Sequence, residues 1–201
     1  MQTQTDPYKQ LIEDRKDPYR ELISSARFAF VLLAVLLCFI IVFTKILIGV
    51  NVYGASMQPT LHTGDYLFVC TLTRPERGDI VVVPNPTSTS SGEKYLIKRV
   101  IGLPGDTLKA EDGVLYRKEA GQEDFSVVAE EFLGEPWVNN NDISPVTVQS
   151  GMMYVMGDNR NDSLDSRILG QFSIEDMLGV VTHWSVEHKD FLTAVFGFLQ
   201  P

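Results

Sequence analysis

From Phe28 to Val50 the chain runs for 23 residues with one charge, Lys45: FAFVLLAVLLCFIIVFTKILIGV. As a helix rising ~1.5 Å per residue this run is ~35 Å long, enough for a ~30 Å hydrocarbon core. Lys45 lies near the far end, where its stem can follow apolar surface while the amine reaches the interface. A buried core helix would have the same composition. A cleaved signal sequence would have a shorter apolar region, about 7–15 residues, and a small-x-small site after it. This run is longer and its charged leader is long, so residues 28–50 read as a retained transmembrane helix. Lys9, Arg15, Lys16, Arg20 and Arg27 precede it, and beyond Lys45 the next basic residue is Arg74. That asymmetry puts residues 1–27 in the cytoplasm and residues 51–201 outside, in a single-pass protein of the cytoplasmic membrane.

The outer part is acidic. Of 17 basic and 26 acidic residues, 11 and 21 fall in residues 51–201. Such a domain is a poor nucleic-acid binder, because phosphate contact needs Lys and Arg patches. The two cysteines, Cys38 inside the apolar run and Cys70 after it, are not expected to pair. The leader carries a short repeat: Asp6-Pro7-Tyr8-Lys9-Gln10-Leu11-Ile12 recurs as Asp17-Pro18-Tyr19-Arg20-Glu21-Leu22-Ile23. Asp then Pro suits a helix N-cap and first helical position. The repeat is either a capped helix leading into the span or a face for a partner or the interface.

After the span, short runs rich in Val, Ile, Tyr and Phe (DYLFVC, DIVVV, YLIKRVIG, MMYVMG, LGVVTHWSV) alternate with Gly, Pro, Asn and Asp. This is the pattern of a mostly β domain with short strands. Asn85–Gly92 is a polar loop tip. Residues 110–150, richer in Glu, Asp and Asn, read as a smaller inserted subdomain. The apolar tail Phe191–Pro201 is too short to span a bilayer; it packs on the β core or touches the membrane surface.

Ser56 sits in Gly54-Ala55-Ser56-Met57-Gln58-Pro59-Thr60, just past the span. Pro59 disfavours helix at Gln58, and the G-x-S-x-G pattern fails there. A nucleophilic serine needs a base. His62 is near in sequence, but His62, His183 and His188 have no triad context. Lys98, in Tyr95-Leu96-Ile97-Lys98-Arg99-Val100-Ile101, is the better candidate. In a strand it shares a face with Leu96 and Val100. Burial on that face would disfavour the ammonium and let the neutral amine take a proton. A lysine at a strand end with its head in water fits the same pattern. A polar run, Gly157-Asp158-Asn159-Arg160-Asn161-Asp162-Ser163-Leu164-Asp165-Ser166-Arg167, follows the apolar MMYVM. Its alternating acids and arginines could order a loop. It fails the EF-hand pattern, and no zinc-ligand spacing occurs, so neither metal nor cofactor is expected. Ser91-Gly92-Glu93-Lys94 matches S-x-x-K in the polar loop, but the companion motifs are missing.

Taken together, these blocks resemble the bacterial type I signal peptidases. The resemblance runs through the span, Ser56–Leu61, Arg77-Gly78-Asp79-Ile80-Val81, Lys98–Asp106 and Gly157–Arg167. It implies an extracytoplasmic β catalytic domain in which Ser56 is the nucleophile and Lys98 the general base. By the same resemblance, Ser163 hydrogen-bonds and orients the lysine, and Asp158, Arg99, Asp165 and Arg167 form a supporting ionic network. Met57 lies beside the nucleophile. The Ser56 backbone N–H and a donor near Gly54 hold the oxyanion. One family branch carries a hydroxyl residue at the Gly54 position; here the second donor must be backbone or water. The implied activity is a serine endopeptidase that removes signal peptides from exported preproteins, bound as an extended strand near Gly54–Ser56 and Leu96–Ile97. Two rivals are a self-cleaving Ser–Lys protease of repressor type and an inactive membrane-bound binding module. The span argues against the first, and the intact Ser56, Lys98 and Ser163 against the second.

Overall fold

The computed structural model describes residues 18–88, 93–139 and 142–197, in two units that meet between Thr44 and Lys45. In the first unit, helix α1 covers Pro18–Ile41, with Pro18 at the first helical position. Glu21–Ile46, 26 residues, is long and apolar enough to cross a membrane, and none of its most apolar window is buried by protein. The second copy of the leader repeat supplies the first turns of α1 from Pro18 onward; the first copy lies outside the described residues.

The helix therefore starts earlier and stops sooner than residues 28–50. A π-helical turn, Val42–Ile46, follows α1, and strand β1 (Leu47–Asn51) begins at once. β1 pairs antiparallel with β2 (Tyr66–Cys70), Leu47 facing Cys70 and Asn51 facing Tyr66. Composition alone cannot separate the end of a span from a strand in ILIGV. The ladder decides, because it satisfies the backbone groups of residues 47–51 outside the helix.

The second unit is mostly β. Strands β3 (Ile80–Pro84), β4 (Tyr95–Gly102), β9 (Met152–Met156), β10 (Phe172–Ser173) and β11 (Gly179–Val181) join β1 and β2 in a seven-stranded sheet. Its order is β1-β2-β11-β3-β4-β9-β10, antiparallel throughout. β5 (Thr107–Glu111), β6 (Val114–Lys118), β7 (Ser126–Val127) and β8 (Ile143–Thr147) form a second sheet, ordered β7-β6-β5-β8. Most of the polar 110–150 stretch lies in this sheet and its loops. Short helices α2 (Ser166–Leu169), α3 (His183–Glu187) and α4 (Lys189–Phe196) complete the unit. The tail packs on the core as far as it is described: Leu192 is buried and Phe196 stacks on Tyr66. Residues 198–201 lie outside the described set. Cys38 and Cys70 are both free thiols.

One ion pair, buried on its Asp106 side, fixes the corner between the sheets. Asp106, fully buried, takes two 2.8 Å hydrogen bonds from Arg77 and further ones from the Leu103 and Ala120 N–H groups. Burial alone would raise the Asp106 carboxyl. The Arg77 hydrogen bonds, the two N–H donors and the guanidinium charge outweigh it and hold the carboxyl below its usual value. A carboxyl lowered in the fold contributes stability above its unfolded pKa, and that contribution is lost as pH falls through the folded value. Asp106→Asn is expected to cost about 2–3 kcal/mol near pH 7. The gap to the parent protein should narrow below pH 4; urea melts at both pH values check this.

Candidate active site

The site begins with strand β4. Its side chains alternate, so Leu96, Lys98 and Val100 are all buried while Ile97 and Arg99 are only partly covered. β3 pairs along Tyr95–Arg99, setting Lys98 opposite Val81. Lys98 is only 2% exposed, so its head is not in bulk water. Nζ donates to the Ile97 carbonyl at 2.8 Å and lies 2.8 Å from Ser56 Oγ. Burial lowers the Lys98 amine to about 8, although the charges of Asp165, Glu93 and Asp158 work against it.

Ser56 is carried by a loop of turns between β1 and β2. Met57 and Leu61, both buried, root this loop in the core, and the Leu61 N–H bonds the Met57 carbonyl at 2.9 Å. Gly54 has φ +82°, a left-handed value that glycine adopts without strain. Its carbonyl accepts the Thr63 hydroxyl. His62 is exposed, and its backbone N–H is held by Asp65.

The loop after β9 locks against Ser56. Its N–H at Asn159 donates to the Ser56 carbonyl at 3.0 Å, and Asn159 Nδ2 donates to Ala55 O. Gly157 passes so close that a Cβ there would collide with Ser163 Oγ and the Ser56 carbonyl. The β4–β9 register sets Arg99 opposite Met156, so Asp158 emerges beside Arg99. They form a bidentate pair at 2.8 and 2.6 Å. Arg99 also donates to Gly78 O and lies over the Phe132 ring at 4.1 Å.

Asp165 and Arg167 form a second, separate pair at 2.9 and 2.8 Å. Asp165 accepts the Gly157 N–H, and Arg167 donates to Arg160 O. Burial pushes the Asp165 carboxyl up, but Arg167, the Gly157 N–H and the nearby Ser163 hydroxyl hold it below its usual value. The expected ionic network is thus two clamps with different tasks. One ties β4 to the loop and the other braces the loop's own backbone.

Ser163 differs from expectation. Its buried hydroxyl lies by Asp165 and makes no bond to Lys98. The Ile97 carbonyl orients the amine instead. Three contributors went unnoticed in the sequence. Thr60 donates to Asp158 Oδ2 at 2.6 Å. Arg160 pairs with Glu130 and lies over Trp137, and Phe132 covers Arg99. Thr60 and Arg160 lay inside the Ser56–Leu61 and Gly157–Arg167 blocks, with no role assigned to either.

Ser56, Lys98, Gly54, Met57, Leu96 and Ile97 all line one cleft of about 380 Å³. Val52, Val82 and Leu178 add apolar wall, and Glu93, Lys94 and Tyr95 also border it. Among the described residues no cluster of His, Cys, Asp and Glu could hold a metal ion.

A partly exposed serine beside a buried lysine in an apolar cleft of a mostly β unit is a serine-hydrolase arrangement, and sequence comparison narrows the class. The family described as signal peptidase, peptidase S26, matches residues 23–185, and the chain belongs to this family of serine peptidases. Signal peptidase I from Bacillus licheniformis is 39% identical over 58% of this chain and 63% of its own length. Signal peptidase I P from Bacillus subtilis subsp. natto is 34% identical over 73% of this chain and 83% of its own. The chain thus spans a little under two thirds of the Bacillus licheniformis relative. A crystal structure of a signal peptidase I from Enterococcus faecalis matches at TM-score 0.45 and 30% identity, covering 55% of this chain and 98% of that one.

Lys98 costs the fold stability. Its folded pKa lies below the unfolded value of 10.5, so the penalty is full below pH 8 and gone above pH 10.5. Lys98→Met should therefore stabilise the protein by about 1–3 kcal/mol near pH 6, after its lost hydrogen bonds. The margin should close by pH 10, as read from denaturant melts at the two pH values.

Proposed function

We propose that this protein is a signal peptidase I: an endopeptidase that removes N-terminal signal peptides from exported preproteins. The observation that carries the reading is the 2.8 Å approach of a buried Lys98 amine, with its pKa lowered to about 8, to Ser56 Oγ. Membership of the signal peptidase family supplies the substrate class.

Ser56 is the nucleophile and Lys98 the general base. The neutral amine takes the Ser56 proton as Oγ attacks the scissile carbonyl, then returns it to the leaving amine. Water hydrolyses the acyl-enzyme with Lys98 again as base. The Ser56 N–H holds the oxyanion, and since Gly54 has no side chain to donate, any second donor there is backbone or water. The residues between Tyr95 and Lys98 pair with β3 on one side only, because the β9 register begins at Arg99. β1 is the edge of the sheet. An extended substrate can add along these edges with small residues in the cleft. The apolar helix anchors the enzyme with its N-terminus in the cytoplasm and its catalytic unit outside the cytoplasmic membrane. Enzyme and substrate then share one surface, which raises their effective concentration.

Ser56→Ala and Lys98→Ala are each expected to abolish cleavage of a preprotein by the full chain in detergent, with circular dichroism unchanged. Protonated Lys98 cannot act as base, so kcat/KM should rise with pH through about 8 and then level. Cleavage by either variant, or a profile flat from pH 6 to 9, would overturn the assignment.

A further inference from the structure

We propose that Lys189, at the start of α4, is a positioning residue that holds the nucleophile loop in its reactive geometry. The proposal rests on the Ser56–Lys98 reading above. Ser56 lies on no helix or strand, so its placement depends on what grips residues 52–65. The core grips Met57 and Leu61 from below, and the loop after β9 grips the Ser56 carbonyl and the Thr60 hydroxyl. A further grip comes from α4. Lys189 Nζ donates to the Thr60 carbonyl at 2.6 Å and lies 3.5 Å from Asp65 Oδ2. Asp65 in turn accepts the His62 N–H, and its carbonyl accepts the Val52 N–H.

Thr60 is thus held at both polar ends. Its hydroxyl binds Asp158, the partner of Arg99, and its carbonyl binds Lys189. The ammonium makes the second contact a charge-assisted bond. α4 is rigid enough to serve as the anchor. Leu192 is 1% exposed, Thr193 Oγ1 accepts the Tyr66 N–H at 2.8 Å, and Phe196 stacks on Tyr66 and meets Phe68 edge-on. Lys189 falls beyond residues 23–185, the span matched by the family. The last helix therefore supplies a grip on the site from outside the family's matched region.

A residue that merely pinned α4 would affect melting and leave turnover alone. A residue that positions Ser56 against Lys98 affects turnover more than substrate binding: Val52, Gly54 and Met57 of the loop line the cleft, but Val82, Leu96, Ile97 and Leu178 lie on other elements. With the full chain in detergent, below the onset of each variant's thermal melt, Lys189→Met should lower kcat about tenfold and move KM less than about twofold. Lys189→Arg, which keeps a charged donor, should recover most of the loss. Lys189→Gln, a smaller change in shape without the charge, should lie with Lys189→Met and serves if that variant does not fold. A wild-type kcat in Lys189→Met and Lys189→Gln, a loss confined to KM, or an arginine variant as poor as methionine would overturn the proposal. If the parent chain cleaves no preprotein, or Ser56→Ala cleaves as well as the parent, the functional reading itself fails, whatever Lys189 does.

Discussion

The site depends on keeping one amine dry. An ammonium is stable in water, and a lysine left there holds its proton far above neutral pH. Lys98 is 2% exposed on a strand whose same-side neighbours, Leu96 and Val100, are buried. That loss of hydration lowers its pKa to about 8, with the Ser56 hydroxyl 2.8 Å away, as the proposed role of base requires. Asp165, Glu93 and Asp158 pull the other way. The carboxylates nearest the site must therefore be occupied elsewhere, and Arg99 and Arg167 occupy two of them.

The two arginine–aspartate pairs divide the labour. Arg99–Asp158 ties β4 to the loop after β9, at the residue next to Lys98. Asp165–Arg167 grips the main chain of that loop at Gly157 and Arg160. Gly157 is required because the loop runs against the Ser56 carbonyl with no room for a Cβ. Ser56 is thus placed by main-chain contacts from a neighbouring loop, while Lys98 is placed by the regular register of a sheet. The same sheet corner is held by Arg77–Asp106, which is structural and touches neither reacting group.

Much of the plan was legible along the chain because it is written in local pattern. Apolar length marked the helix, short apolar runs between turn residues marked β2, β3, β4 and β9, and polar spacing marked the loop after β9. The boundaries were less legible. ILIGV at residues 46–50 is as apolar as the helix before it, and only pairing with Leu67–Cys70 turns it into strand. The role expected of Ser163 does not appear: Lys98 donates instead to the carbonyl of its strand neighbour Ile97. Phe132, Glu130 and Lys189 carried no signal, since their significance lies in partners 30 to 129 residues away.

The sequence by itself determined that this chain has an apolar helix long enough to span a bilayer and a mostly β unit after it. The choice of serine and lysine rested on the resemblance of its ordered blocks to signal peptidases, because hydrophobic period fits Lys98 either way and singles out no serine. Only the tertiary structure decided whether Lys98 would be wet or dry, since periodicity fits either and burial depends on what the other strands and loops lay over it. Only the tertiary structure could show what orients the amine and what grips the serine loop. Those are hydrogen bonds between distant segments, and their geometry is settled when the sheets and loops close.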